Sequence, residues 1–415
     1  MECGTTPGIS CEETYLIHSL LPPGFAGPKE RSITKRLSGP TGADHERCEN
    51  MQSPTYGLHV EQNGLVTMNG RPYYAAGINF YDGFLRYIGS AYPDKVPDSR
   101  LTMAKIARAK IPFIRTSLGC FRDDGVNVYL HDPREYFRHM DRFVRLAEEY
   151  RIGIVGCLFW STSYAWIKAL GAQENDMGDP ESALIKAMLQ YTRDVVSRYK
   201  DSPAMWGWET SNELNLAVDK PEQGDQGLKS ESVFLFNRMI SAEIRRLDPY
   251  RFISNGDAVY RKEQYSLKFK GVWQQDSEEE FRAVVPLFAC GNIDTISIHT
   301  YAVEPEIIRF GNPLTVTEET RIYTEIARKA GKALFIGEFG CGADTFTEKG
   351  PAHLAKILEA IRETGVQLSA CWNLDMADGS EDSFSDTGAG AYLFHETARM
   401  NDLYRQKGLQ LAPIW

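Results

Sequence analysis

From Tyr73 onward, short runs of consecutive apolar residues alternate with longer stretches in which apolar residues recur every three or four positions. The short runs are YYAAGIN (73–79), PFIRTSL (112–118), GIVGCLF (153–159), AMWGWET (204–210), RFISN (251–255), DTISIHT (294–300), ALFIGEF (333–339) and LSACWNL (368–374). Their unbroken apolar character predicts parallel strands covered on both faces. The longer stretches at 101–110, 136–150, 183–199, 231–246, 278–289, 318–330, 352–364 and 393–406 carry the period of amphipathic helices. Thr315 with Glu318 reads as a capping box, and Gly331 and Gly365 stand where helix C-caps are expected. Eight strand–helix units in this length predict an α/β fold, a closed (β/α)₈ TIM barrel. A doubly wound open sheet is the competitor. It requires a glycine-rich phosphate turn after the first strand, and GINFYDGF is not one.

Ahead of the first barrel strand, Asn63-Gly64 and Asn69-Gly70 break an alternating stretch twice, which predicts a short β-hairpin. Residues 1–53 are rich in Pro, Gly, Ser and charge without any period. They read as an N-terminal extension, draped on the domain or partly disordered, with the barrel occupying 54–415.

Composition narrows the partners. The net charge of −10 argues against nucleic acid or an anionic membrane, both of which need a basic face. An uncharged substrate is the easier fit. The 8 cysteines among 415 residues are too sparse for a disulfide scaffold, and none are spaced as CxxC, so no structural zinc site is expected. Cys120, Cys157, Cys290, Cys341 and Cys371 fall in or beside apolar runs and read as buried thiols, whereas Cys3, Cys11 and Cys48 lie in the polar leader. There is no apolar run long enough for a transmembrane helix, and no export signal in the opening residues. Compartment and oligomeric state are not readable from these features.

The site of a (β/α)₈ barrel lies at the C-terminal ends of its strands, so the polar residues that end each run are the ones to weigh. They are Asn79, Arg115, Asn212-Glu213, His299 with Tyr301, Glu338 and Trp372. Glu213 and Glu338 end the fourth and seventh strands, which face each other across the barrel mouth. Two opposed carboxyl groups are what cleavage of a glycosidic bond requires, and a separation of about 5–5.5 Å gives retention of configuration. Their mutual repulsion is expected to split the two pKa values, leaving one acid protonated. Arg115 is placed to hold Glu338 as the carboxylate, which makes Glu338 the nucleophile and Glu213 the general acid/base. Trp160, Tyr164, Trp166 and Trp273 lie in loops 160–182 and 256–280 after the third and fifth strands, where flat rings suit the apolar faces of sugars.

These pieces resemble glycoside hydrolase family 5, in the clan of retaining (β/α)₈ glycosidases. The matching segments are WETSNE with Asn212-Glu213, SIHTY with His299 and Tyr301, FIGEFG with Glu338, FIRTS with Arg115 and SACWNLD with Trp372, over residues 57–410. The resemblance implies that Asn212 bonds the sugar 2-hydroxyl, that Tyr301 contacts the nucleophile with His299 supporting the same network, and that Trp372 floors the sugar at the cleavage point. W-E-x-x-N-E, H-x-Y and the NGRPYYAAGINFY opening are similar to the β-mannanase-like branch, with β-mannan the expected substrate ahead of β-glucan. Two departures bear on substrate: Leu214 stands where many relatives have proline, and Phe159-Trp160 end the third strand without a histidine. No metal or organic cofactor is implied.

Plainer readings compete at several positions. Glu209 reads as structural, Trp206 and Trp208 as packing between barrel and helices, and Trp166 and Trp273 equally as loop cover. The acidic stretch DMADGSEDSFSD (375–386) lacks the EF-hand pattern and reads as a solvated or sugar-bonding loop. Two readings from other classes remain. One is a barrel that binds saccharide without turnover. The other is a metal-dependent hydrolase ligated by Glu213, His299 and Glu338, disfavoured by the lack of an HxH pair on the first strand.

Overall fold

The computed structural model describes residues 57–88, 98–119, 123–160, 164–375 and 383–410. Eight parallel strands form its centre: β1 (Ala75–Asn79), β2 (Phe113–Ser117), β3 (Gly153–Phe159), β4 (Met205–Ser211), β5 (Phe252–Ser254), β6 (Thr295–Thr300), β7 (Ala333–Phe339) and β8 (Leu368–Cys371). Paired neighbours run β5-β4-β3-β2-β1-β8-β7-β6. Asp294 closes the remaining seam. Its N–H donates to the Ile253 carbonyl at 2.8 Å, and its carboxylate accepts from the Ile253 N–H at 2.7 Å. The chain is a (β/α)₈ barrel, as its periodicity predicts.

The unbroken apolar runs follow from burial on both faces. Ile114, Ile154, Ile253, Ile296, Ile298 and Ile336 pack outward under the helices. Phe113, Val155, Trp206, Phe252, Phe335 and Leu368 turn inward and fill the base of the barrel. A meander of three short strands, His59–Val60, Val66–Met68 and Arg71–Pro72, precedes β1. Its second turn has positive φ at both Asn69 (53°) and Gly70 (69°), which Asn-Gly adopts at little cost. The meander plugs the barrel base: Leu58, Val66 and Met68 join the inward cluster, and the Gln367 amide ties Val66 to Tyr73.

The main helices lie close to their sequence-predicted positions, among them Ala183–Tyr199, Ser230–Leu247 and Val316–Lys329. The Thr315–Glu318 capping box is formed. Three helices had no readable signal: Asp123–His131, Tyr164–Leu170 and Gln264–Lys270. The last two lie in the segments expected to be loops, because one or two turns are too short to show a period. Among the described residues no helix is long and apolar enough to cross a membrane.

Bulges decide what faces the barrel mouth. In β4 the pairing with β3 slips between Ile154 and Val155, so Trp206 and Gly207 both fall on the inward side. Trp206 therefore packs inside the barrel base against Tyr73, Phe113 and Gly153, a correction to its expected place under the helices. Trp208 does sit on the outer side, where its indole N–H donates to Asp248 at 2.8 Å. A second slip lies between Ile336 and Glu338 in β7. Strict alternation would place Glu338 outward with Leu334 and Ile336. The extra residue, Gly337, turns it inward. The stretch 1–53 and Cys3, Cys11, Cys48 and Cys120 lie outside the described residues. Cys157, Cys341 and Cys371 are buried thiols, and Cys290 is only partly buried.

Candidate active site

Arg115, wholly buried on β2, organises the barrel mouth. Its Nε and one Nη2 hydrogen go to Glu209 (3.0 and 2.7 Å), and the other Nη2 hydrogen to Asn212 Oδ1 (2.6 Å). Its Nη1 donates to Glu338 Oε1 (2.7 Å) and Asn79 Oδ1 (3.1 Å). All five N–H donors of the guanidinium are thus used. Burial works against the charge on Arg115, but the carboxylates of Glu209 and Glu338 outweigh it, and its pKa is raised.

Glu338 receives a second donor on its other oxygen, the Tyr301 hydroxyl at 2.5 Å. With its side chain 5% exposed, it is a carboxylate fixed in place by a cation and a phenol. Burial and the neighbouring Glu338 carboxylate push the Tyr301 pKa well up, so the phenol keeps its proton and stays a donor.

Glu213 differs in each respect. It ends β4 at a left-handed backbone (φ 58°), its N–H donating to the Gly256 carbonyl at 2.8 Å. Gly256 permits this approach, since a Cβ there would lie 2.0 Å from the Ser211 carbonyl oxygen. The Glu213 side chain is 34% exposed. His299 Nδ1 is 2.8 Å from Glu213 Oε1 and 3.5 Å from Glu338 Oε2. Facing two carboxylates, that nitrogen carries the proton. Burial alone would raise the Glu213 pKa, but the hydrogen bond and charge of His299, then Arg115, outweigh it and hold the group below the ordinary carboxyl range. The expected protonated acid is therefore not the state of the unliganded Glu213.

One ligand atom each from Glu213, His299 and Glu338 lie within 4.8 Å of one another. The donor set would suit a metal, but its surroundings do not. The buried Arg115 cation already bonds Glu338, and His299 presents an N–H to both carboxylates.

The other sequence-predicted residues divide. Asn212 gives its oxygen to Arg115 and leaves its Nδ2 without a partner among the described residues. Trp372 is half-buried and stacks with Trp160 (6.1 Å) and Tyr81 (5.6 Å), while Arg115 lies 4.8 Å from the centre of the Trp160 ring. Asn79 is a correction: wholly buried, it donates to the Gly337 and Ala370 carbonyls and accepts from Arg115, so it braces the scaffold and cannot reach a substrate. Trp166 is likewise buried, among Tyr129, Phe159 and Tyr191. Trp273 is exposed and bonds Glu222 (3.1 Å), and no hydrogen bond joins it to the Glu213–Glu338 cluster. At the ends of the acidic stretch, Asp375 and Asp386 both pair with Lys105 (2.9 and 2.8 Å), so neither is a free solvated acid, while 376–382 lie outside the described residues. Glu209 is structural, as its sequence reading had it: wholly buried, it braces Arg115. One participant was not singled out in the sequence: Tyr81, two residues past β1, although it ends the NGRPYYAAGINFY opening.

Residues 89–378 match the sequence model of the family described as Cellulase (glycosyl hydrolase family 5). Over 137 residues the chain is 29% identical to the probable mannan endo-1,4-beta-mannosidase C of Aspergillus terreus, covering 32% of each protein. Over 221 residues it is 27% identical to mannan endo-1,4-beta-mannosidase F of Aspergillus fumigatus, covering 48% of this chain and 46% of that one. The matches thus span a third to a half of these relatives. In three dimensions the barrel superposes on the endo-1,4-beta-mannanase from Rhizomucor miehei with a TM-score of 0.61 at 16% identity, covering 84% of this chain and 99% of that one. With the family match running across Arg115, Glu213, His299, Glu338 and Trp372, the chain belongs to glycosyl hydrolase family 5.

Proposed function

We propose that this chain is a retaining β-glycosidase that cleaves β-linked hexosyl saccharides by double displacement, with β-mannan the favoured substrate. The observation that carries the reading is the pair of dissimilar carboxylates whose nearest oxygens lie within 4.8 Å. That is close to the spacing of about 5–5.5 Å at which one carboxylate attacks directly, and too tight for the intervening water of an inverting site.

Glu338 attacks the anomeric carbon, since Arg115 and Tyr301 fix its position. As the carbon–oxygen bond breaks, the leaving oxygen takes a proton from Glu213, the more exposed member of the pair. Sugar covering Glu213 strips water from its carboxylate, which favours the neutral, proton-carrying form. A water molecule then gives its proton back to Glu213 and displaces Glu338, so the anomeric configuration is inverted twice and retained. Asn212 Nδ2 is left to bond the 2-hydroxyl, and Trp372 with Trp160 and Tyr81 forms an aromatic floor. No step calls for a metal or organic cofactor. Mannan is favoured over glucan because the curated relatives above are named mannan endo-1,4-beta-mannosidases.

The test is digestion of mannan, glucomannan, cellulose and mixed-linkage glucan, with proton NMR of the first product formed. Release of the β-anomer, fastest from mannan, is expected. The α-anomer would overturn the mechanism, and preference for cellulose would overturn the substrate.

A further inference from the structure

His353 is a buried titratable group that no step above uses. It sits in the first turn of the helix Gly350–Thr364, 7% exposed, between the segments that follow β6 and β7 at the barrel mouth. Its Nε2 lies 2.9 Å from the main-chain carbonyl oxygen of Tyr301, and its Nδ1 lies 3.2 Å from Asp344 Oδ2. A carbonyl oxygen and an ionised carboxylate only accept, so the ring donates from both nitrogens. The hydrogen bond from His353 outweighs burial and holds the Asp344 carboxyl below its ordinary range. Asp344 belongs to the short turn Gly342–Asp344 just past β7, and Thr347 Oγ1 donates to its Oδ1 at 3.4 Å. The imidazole thus ties the end of β6 to the segment after β7.

Tyr301 needs such a tie. The pairing of β6 with β7 ends at Thr300 opposite Phe339, one residue short of it. Its ring lies over Gly340, where a Cβ would stand 3.2 Å from the ring's Cε1, and its hydroxyl donates to Glu338 Oε2 at 2.5 Å. A main-chain shift of about 1 Å would carry that hydroxyl out of hydrogen-bond range. Among the described residues, His353 is the partner of the Tyr301 carbonyl. A histidine that merely stapled its helix to the barrel could bond any nearby carbonyl. This one bonds the residue whose hydroxyl touches the nucleophile.

We propose that His353 is a positioning residue: braced by Asp344, it sets the main chain of Tyr301 and, through it, the hydroxyl that fixes Glu338. The inference rests on the glycosidase reading above. Its test is a double-mutant cycle, which isolates the coupling between two residues. The readout is kcat/KM, which reports the first displacement, on whichever of 2,4-dinitrophenyl β-mannobioside and β-cellobioside the wild type cleaves faster. His353→Leu is expected to lower it about tenfold in the wild-type background, the scale of a misplaced catalytic group. In a Tyr301→Phe background, where the hydroxyl it serves is gone, the same substitution is expected to cost less than about twofold. His353→Gln keeps an N–H donor near the place of Nε2 and is expected to stay within about threefold of wild type. Asp344→Ala, at a side chain 33% exposed, repeats the cycle without opening the core. Its loss of about threefold is likewise expected to vanish beside Tyr301→Phe. Circular dichroism checks the fold of each variant. Equal losses in both backgrounds, no loss in the wild-type background, or a Gln variant no better than Leu overturns this inference alone. A wild type that cleaves neither substrate overturns the proposed function and this inference with it.

Discussion

Arg115 shows how one buried side chain fixes a site. Glu209 has no route to substrate, yet it takes two of the five guanidinium hydrogens and sets the direction in which the rest point. Removing one partner of a buried ion pair leaves an uncompensated charge, a cost of about 3–5 kcal/mol. Glu209→Ala is therefore expected to lower unfolding stability by that order in a denaturant titration, and to reduce kcat more than KM because Glu338 loses its orientation. Full activity in Glu209→Ala would contradict this role. A second buried acid, Asp257, accepts from Tyr260 (2.7 Å) and Asn255 (2.5 Å), and burial pushes its pKa up to about 8. Between pH 4 and 8 the folded chain holds this proton and the unfolded chain does not. Stability contributed by this group is therefore complete below pH 4 and lost as pH rises toward 8, at up to about 1.4 kcal/mol per pH unit. Asp257→Asn keeps an oxygen for both donors and removes the titration. Relative to wild type it should gain stability steadily from pH 4 to 8 in parallel thermal melts, and a constant difference would contradict the assignment.

Among the elements, the helices and strands were legible wherever burial imposed a long period, as at Ala183–Tyr199, whose ends the amphipathic pattern placed correctly. What escaped was each place where the period breaks. The bulge in β7 is one: alternation from Leu334 and Ile336 sends Glu338 outward, and only a glycine inside the run hinted otherwise. A small hairpin, Ile308–Arg309 with Asn312–Pro313, is another, too short for any pattern. Gly256 marks a third, where chain crossing leaves no room for a Cβ and φ is +68°. Gly256→Ala should displace Glu213 and cut kcat by about tenfold or more, the scale of a mispositioned catalytic group, with secondary structure retained by circular dichroism. Meanwhile Met68→Ala, which hollows the plug at the opposite end of the barrel, should cost about 2–5 kcal/mol of stability and leave kcat/KM unchanged below the unfolding transition.

At the scale of the whole molecule, base and mouth of the barrel divide the work. The base is closed by apolar packing of the meander, and the mouth holds the polar groups. The candidate site was legible because a (β/α)₈ barrel confines chemistry to strand ends, so residues 223 positions apart, such as Arg115 and Glu338, could be brought together by topology before any distance was known. Which of those polar ends face ligand and which brace one another was not legible. Asn79 and Glu338 both end strands, and only the hydrogen bonds made by Asn79 to β7 and β8 reveal it as a brace.

The central claim is that Glu338 forms a bond to the sugar. Incubating the protein with 2,4-dinitrophenyl 2-deoxy-2-fluoro-β-mannoside slows the second displacement and traps the intermediate, and peptide mass spectrometry then locates it. A single fluorosugar adduct on the peptide containing Glu338 is predicted, absent from Glu338→Ala. An adduct on Glu213 or any other residue, or turnover with no adduct and an inverted product, would contradict the account.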